Sequence, residues 1–259
     1  MIKETGYAEV NGLRMYYEVH GSGAGGGSGG GGTPLVLLHG GLLTIDLSFG
    51  HLLPDLARDR RVIAPELQGH GHTADIDRAM DPRQLASDVA GLLDHLGVSR
   101  ADILGFSLGG AAALQFVLDY PDRVRRAVIA SVAYAPDGFR PEITDPSRSS
   151  DLLPTADDFA QMRAAYASTA PDPGHFEAFQ GKLQGAVHGH QGWTADELGT
   201  VRVPVLLVFG DKDFIRLEYA VGMNDLIPGA QLAVLPDATH MELLRRTALI
   251  VPLVEEFLS

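Results

Sequence analysis

Apolar residues fall along the chain into short, nearly continuous runs rather than strictly alternating ones. Such runs are typical of strands buried on both faces of a sheet. Between most of them apolar positions recur at helical spacing, and this alternation predicts a mostly parallel, twisted sheet with helices on both faces. The predicted strands are 7–10, 14–19, 35–39, 61–64, 101–106, 125–131, 203–209 and 231–235, and the predicted helices are 81–97, 107–120, 216–226 and 241–258.

Cap and turn signals support this pattern at two places. Asp81 can cap the helix predicted over 81–97, Pro82 suits its first turn, and Gly97 suits the left-handed residue that ends a helix. Asn11-Gly12, between the first two predicted strands, is typical of a tight hairpin turn. The sequence therefore predicts an antiparallel hairpin at the edge of the sheet.

The alternation of strands and helices stops between residues 133 and 199. This stretch contains two amphipathic helical patterns, over 156–168 and 173–187. Residues 132–200 hold ten acidic and four basic residues, a net charge of −6. We predict a helical lid over 133–199, which lies on the carboxyl edge of a core formed by 1–132 and 200–259.

A glycine-rich segment spans residues 21–32, where nine of twelve residues are glycine. Gly21, Gly23 and Gly26 fit the spacing of a dinucleotide-binding loop, but that loop requires a helix directly after it. The following residues, 34–38, form an apolar strand pattern instead. We therefore interpret the segment as a flexible loop.

Composition narrows the range of functions. The 259 residues have a formal net charge of −13, which argues against a nucleic-acid partner, and they include no cysteine, which excludes disulfides and thiolate chemistry. No apolar stretch approaches the roughly 20 residues of a membrane helix, and residues 1–5 do not resemble a signal peptide. We expect a cytoplasmic protein without a membrane partner.

The most informative motif is Gly105-Phe106-Ser107-Leu108-Gly109, which lies between a predicted strand and a predicted helix. A serine on such a sharp turn has an exposed hydroxyl, and small neighbours are needed because other backbone segments crowd the turn. The helix that follows contributes partial positive charge where an oxyanion would develop. The pattern predicts that Ser107 is a nucleophile.

A serine nucleophile needs a base, and the base needs an acid to orient it. Of the histidines after Ser107, only His240 lies between a predicted strand and the last predicted helix. The acid should follow the strand over 203–209, where Asp211 and Asp213 are both available. The residues alone leave this choice open.

These motifs and their order resemble the α/β-hydrolase superfamily. Gly210-Asp211-Lys212-Asp213 is similar to a family loop whose second aspartate orients the histidine, so the resemblance favours Asp213. His39-Gly40-Gly41-Leu42 is similar to the family's oxyanion loop. The resemblance implies that the N–H groups of Gly41 and Leu108 form the oxyanion hole, and that His39 is structural.

Other histidines allow a weaker, metal-binding interpretation. Gly69-His70-Gly71-His72-Thr73 resembles the Gly-x-Gly-x-Ser/Thr turn of the family, and zinc binding by its two histidines is disfavoured because no third ligand is apparent. His188-Gly189-His190 is interpreted as a solvated or mouth-lining loop for similar reasons. The sequence predicts no metal and no cofactor.

The resemblance implies a serine hydrolase that acts on a small-molecule partner, a neutral carboxylic ester. Alternatives are a lactonase, a cofactor-free perhydrolase, a carbon–carbon bond hydrolase, or a ligand-binding receptor that retains the triad. Relatives that use an aspartate nucleophile, such as epoxide hydrolases, are excluded by Ser107. The residues predicted to line the substrate pocket are Leu42, Phe106, Phe139, Met162, Trp193, Phe214 and Met241, with Phe176 and Phe179 as further candidates within the lid.

Overall fold

The computed structural model describes residues 2–21, 32–145 and 147–259. Within these ranges the strands are β1 (Ile2–Val10), β2 (Leu13–His20), β3 (Leu35–Leu38), β4 (Val62–Pro65), β5 (Ala101–Phe106), β6 (Val124–Ala130), β7 (Val205–Lys212) and β8 (Gln231–Thr239). They form one sheet in the order β1-β2-β4-β3-β5-β6-β7-β8. β2 pairs antiparallel with β1 and β4, and the other pairs are parallel. The predicted mostly parallel sheet is confirmed.

The described residues also contain ten helices. They are α1 (Ile45–Phe49), α2 (Leu53–Leu56), α3 (Pro82–His95), α4 (Leu108–Asp119), α5 (Pro141–Thr144), α6 (Ala156–Thr169), α7 (Phe176–Gly189), α8 (Ala195–Gly199), α9 (Leu217–Leu226) and α10 (Thr247–Leu258). Short 3₁₀ turns connect several of them.

Strand β3 shows why the strands are apolar at every position. Leu35 and Leu37 point into the core formed with α1, α2 and α10, whereas Val36 and Leu38 point into the core formed with α3 and α4. Because successive side chains of a strand face opposite sides, both sets must be apolar when helices cover both faces.

The hairpin turn at Asn11-Gly12 and the two ends of α3 adopt the predicted conformations. Asn11 and Gly12 have φ values of 49° and 79°, the left-handed pair that a tight hairpin requires. The Asp81 carboxylate accepts the Gln84 N–H at 2.9 Å at the start of α3, and Gly97 follows its end with φ 64°.

The helix predicted over 241–258 is shorter than expected, because α10 begins only at Thr247. Residues Leu243–Arg245 form a 3₁₀ turn, and β8 continues to Thr239. Leu243 and Leu244 are both buried, so the apolar residues that suggested a helix here pack against the core instead.

Helices α5 to α8 form an insertion between β6 and β7. Of the glycine-rich segment predicted to be a flexible loop, residues 22–31 lie outside the described residues. None of the helices in the described part of the chain is long and apolar enough to cross a membrane.

Candidate active site

Ser107 occupies the sharp turn between β5 and α4. Its backbone lies at φ 54° and ψ −114°, a conformation that non-glycine residues rarely adopt. The residues two positions before and after Ser107 must be glycine. A Cβ on Gly105 would lie 2.2 Å from the carbonyl oxygen of Gly109, and a Cβ on Gly109 would lie 2.1 Å from the carbonyl oxygen of Leu38. The crowded backbone therefore holds Ser107 at the carboxyl edge of the sheet.

Three polar side chains from different loops meet at this edge. The Oγ of Ser107 lies 3.0 Å from Nε2 of His240, and Nδ1 of His240 lies 2.7 Å from Oδ1 of Asp213. Because the carboxylate can only accept, Nδ1 carries the proton and Nε2 is free to accept the serine hydroxyl. This is the arrangement of a serine nucleophile, its base and an orienting acid.

Asp213 is fully buried, and its environment favours the charged form. Burial alone would raise the pKa of Asp213, but the His240 imidazole and hydrogen bonds from His240, Ser131 and the Gly210 N–H outweigh this effect and lower the pKa. The Phe214 N–H also donates to Oδ1 at 2.6 Å. The histidine therefore faces an ionised carboxylate.

Asp211, the other acid that the sequence left available, points elsewhere. Its Oδ1 accepts the Ala238 N–H at 3.1 Å, which joins the loop after β7 to the end of β8. The geometry thus places Asp213, and not Asp211, against the histidine.

Two aromatic rings pack against the imidazole of His240. The Phe214 ring stacks on it at 3.9 Å with an interplanar angle of 7°, and the Phe106 ring lies 4.8 Å away. These contacts restrict the ring to the plane in which it reaches both Ser107 and Asp213.

The two backbone groups predicted to form the oxyanion hole, those of Gly41 and Leu108, border the same cavity as Ser107. Leu108 is the first residue of α4, so its N–H has no acceptor inside the helix. Among the described residues, none accepts the Gly41 N–H. Neither N–H group therefore has a backbone acceptor among the described residues.

A cavity of about 350 Å³ opens above Ser107. All seven side chains predicted for the pocket line it: Leu42, Phe106, Phe139, Met162, Trp193, Phe214 and Met241. Phe176 and Phe179 do not; they are buried beside Tyr166 and pack within the insertion. None of the described residues that line the cavity is Lys, Arg, Asp or Glu.

Comparison with known proteins agrees with the fold. Residues 33–161 match the family model for the α/β-hydrolase fold. The chain is 30% identical over 255 residues to a 2-hydroxy-6-oxo-2,4-heptadienoate hydrolase of Pseudomonas putida, which covers 88% of this chain and 90% of that protein.

The chain belongs to the α/β-hydrolase superfamily.

Other relatives of this α/β-hydrolase are named for different activities. It is 27% identical over 228 residues to carboxylesterase YbfK of Bacillus subtilis, covering 80% of this chain and 74% of that enzyme. The solved structure of Est816, described as an N-acyl homoserine lactone degrading enzyme, superposes with a TM-score of 0.77 at 26% identity and covers 97% of this chain and 99% of that one. The fold predicted from the motifs is confirmed, and the relatives include carbon–carbon bond hydrolases, esterases and lactonases.

In this α/β-hydrolase His39 and the two histidines of the turn over 69–73 are engaged by other protein groups. Nε2 of His39 accepts the Leu67 N–H at 3.0 Å, and burial lowers the pKa of His39 to about 4. Nε2 of His70 accepts the Leu42 N–H at 3.0 Å. His72 pairs with Glu66, with its Nδ1 2.9 Å from Oε2.

Two residues near Asp213 were missed by the sequence analysis. Ser131, the first residue after β6, donates its hydroxyl to Oδ2 of Asp213. Arg140 donates to the backbone carbonyl oxygens of Asp213 and Asp211, at 2.8 and 3.0 Å. The position of Ser131 at the carboxyl end of a strand was a usable signal, but nothing in the sequence linked Arg140 to this loop.

Proposed function

We propose that this α/β-hydrolase cleaves neutral carboxylic esters by acyl transfer, with Ser107 as nucleophile, His240 as base and Asp213 as the orienting acid. The observation that carries the proposal is the continuous set of contacts from Ser107 Oγ to His240 at 3.0 Å and from His240 to Asp213 at 2.7 Å. The contacts lie beneath an apolar cavity that can hold the substrate.

In the first half-reaction, Oγ of Ser107 attacks the ester carbonyl carbon while Nε2 of His240 takes the hydroxyl proton. Asp213 stabilises the imidazolium that forms and keeps Nδ1 protonated. When the tetrahedral intermediate collapses, the bond to the alkoxy oxygen breaks and His240 donates the proton to the leaving alcohol. A water then enters and gives a proton to His240 while its oxygen attacks the acyl carbon. The bond from that carbon to Oγ breaks, His240 returns the proton to Oγ of Ser107, and the carboxylic acid leaves.

The N–H groups of Gly41 and Leu108 hold the oxyanion of each tetrahedral intermediate. A single donor of this kind lowers the barrier by about 3–4 kcal/mol in serine hydrolases. The start of α4 adds the partial positive charge of a helix N-terminus at the same place.

The preference for a neutral substrate follows from the cavity wall. No lining residue among those described carries a fixed charge, and burial lowers the pKa of His190, which favours its neutral form. A substrate carboxylate placed there would lose its hydration without gaining a cation. Esters and lactones with apolar acyl groups meet no such cost.

The insertion serves as a lid in this proposal. Phe139, Met162 and Trp193 belong to the insertion and line the cavity. The insertion therefore supplies part of the cavity wall. Variation in acyl-chain preference is therefore expected to depend on these side chains more than on the sheet.

Carbon–carbon bond hydrolysis is the second candidate, because the relatives include carbon–carbon bond hydrolases, one of them 30% identical over most of the chain. The name of that relative describes a substrate with a carboxylate. The uncharged cavity disfavours such a substrate here, and this difference separates the two candidates.

The experiment compares initial rates on p-nitrophenyl esters from acetate to laurate, on several lactones and on 2-hydroxy-6-oxo-2,4-heptadienoate. Ser107→Ala serves as the background control. We expect multiple turnovers with neutral esters, and a higher kcat/KM for a neutral ester than for a carboxylate-bearing ester of the same size. The gap between them should narrow with added salt, because screening weakens repulsion by the acidic insertion.

A higher kcat/KM on the dienoate than on every ester would overturn the proposal in favour of carbon–carbon bond hydrolysis. Binding without turnover would favour a receptor. Faster peracid formation than ester hydrolysis, in acetate and hydrogen peroxide, would favour a perhydrolase.

A further inference from the structure

Leu42 lies in the loop that carries one of the two proposed oxyanion donors, and its backbone is strained. Residues 40–42, here called the oxyanion loop, follow β3, and Leu42 has φ 60°. A non-glycine residue rarely adopts this region and persists there only when its surroundings hold it. Something outside the loop must therefore fix its conformation.

His70 provides that contact. Nε2 of His70 accepts the Leu42 N–H at 3.0 Å, and Nδ1 lies 2.9 Å from the carbonyl oxygen of Gln68. Because a carbonyl oxygen can only accept, the proton is on Nδ1, and Nε2 remains an acceptor. Burial, and next the neighbouring His39, lower the pKa of His70 well below its usual value, so this tautomer persists at neutral pH.

His39 makes the reciprocal connection. Its Nδ1 lies 2.9 Å from the Gly40 carbonyl oxygen in the oxyanion loop, and its Nε2 accepts the Leu67 N–H at 3.0 Å. The rings of His39 and His70 lie 4.7 Å apart. The two histidines therefore join the oxyanion loop to the turn over 67–70 by hydrogen bonds that run in both directions.

The insertion covers this connection. The Phe179 ring of α7 meets the His70 ring edge-on at 4.8 Å, and a Cβ on Gly41 would lie 2.9 Å from the Leu183 side chain. Apolar groups therefore pack against His70 and against the residue before Leu42.

We propose that His70 is a positioning residue for the oxyanion hole: by accepting the Leu42 N–H it fixes the oxyanion loop so that the Gly41 N–H faces the bound carbonyl. This inference rests on the proposed function of Ser107, His240 and Asp213 as a hydrolytic triad. His70 itself does not touch the substrate, since it does not line the cavity.

Two substitutions separate the acceptor from the rest of the side chain. In His70→Gln the amide oxygen can replace Nε2 as acceptor of the Leu42 N–H. In His70→Asn the shorter amide can still donate to the Gln68 carbonyl, as Nδ1 does, but cannot reach Leu42. His70→Leu removes both contacts and fills the site with an apolar side chain. His72→Asn is the matched control in the same turn.

We expect His70→Asn and His70→Leu to lower kcat on p-nitrophenyl butyrate by about 10- to 100-fold with less than a threefold change in KM, because the hole acts on the transition state. His70→Gln should recover most of the rate, and His72→Asn should stay within twofold of the wild type. The Ki of a trifluoromethyl ketone, whose hemiketal oxygen occupies the hole, should rise in parallel with the loss in kcat/KM.

The inference is overturned if His70→Asn retains the wild-type kcat, if His70→Gln is as impaired as His70→Asn, or if the loss equals the unfolded fraction measured by circular dichroism. It is also overturned if neither His70→Asn nor His70→Leu folds at 20 °C, because His70 would then stabilise the fold as a whole. Failure of the proposed function gives a different result, in which Ser107→Ala keeps wild-type activity.

Discussion

Ser131 donates its hydroxyl to Oδ2 of Asp213, the carboxylate oxygen that His240 does not use. Both residues are buried, and Ser131 has φ 57°. Ser131, which follows β6, thus supports Asp213, which follows the neighbouring strand β7. Both oxygens of the carboxylate are therefore held by hydrogen bonds.

Removing this support should affect both stability and rate. In Ser131→Ala a buried charged oxygen loses its main donor, so the free energy of unfolding should fall by about 1.5–3 kcal/mol. Because Asp213 then gains freedom to turn away from His240, we expect kcat to fall by roughly tenfold. Urea denaturation and initial rates measure the two effects. Ser168→Ala, which removes an exposed hydroxyl within α6, should change neither, and an unchanged kcat in Ser131→Ala would rule out a positioning role.

Ser107→Ala should remove turnover without unfolding the protein. The change deletes one oxygen at the cavity surface and no core volume, so the midpoint of thermal unfolding should shift little. The kcat should fall by at least about 10⁴-fold, as in other serine hydrolases that lose the nucleophile. Residual activity of a few per cent in purified Ser107→Ala would contradict the assignment.

Asp213→Asn and Asp211→Asn form a matched pair. The amide at 213 cannot hold the proton of His240 on Nδ1, so kcat should fall by about 10⁴-fold. The amide at 211 can still accept the Ala238 N–H, so activity should stay within a few fold of the wild type. Measured on one ester at one pH, equal losses in the two variants would show that Asp213 is not the orienting acid.

Acid should destabilise the protein through His39 before it affects most carboxylates. Burial lowers the pKa of His39 from 6.5 to about 4, so the unfolded chain binds this proton more readily than the folded chain. Above pH 6.5 His39 is neutral in both the folded and the unfolded chain. As the pH falls from 6.5 toward 4, protonation of His39 in the unfolded chain lowers the free energy of unfolding by about 3 kcal/mol. His70, whose pKa is also lowered, acts in the same direction.

The carboxylates with lowered pKa values titrate below this pH window. Asp213 and Asp75, whose pKa values lie below the usual 3.8, lose their contributions only below about pH 4. Glu66, whose pKa is raised by burial, acts in the opposite sense above pH 4.5. Urea denaturation of the wild type and His39→Gln between pH 4 and 7 checks the prediction. Parallel curves for the two proteins would show that His39 does not contribute.

The sequence alone determined the parts of this protein that depend on neighbouring residues. The order of strands and helices follows from apolar runs, the hairpin from Asn11-Gly12, and the turn at Ser107 from five consecutive residues. These signals are readable because sterics and hydrogen bonding within a few residues produce them. The helix predicted over residues 241–246 was wrong for the same reason. The leucines there suggested a helix, but they pack against the core in a 3₁₀ turn.

Only the tertiary structure decided which side chains meet. His240 and Asp213 are 27 residues apart, Leu42 and His70 are 28 apart, and Ser131 and Asp213 are 82 apart. Nothing in the residues distinguished Asp213 from Asp211, since both leave the same strand and only the resemblance to a family favoured one. The register of the strands and the path of each loop set these distances, and both result from packing of the whole core rather than from any short segment.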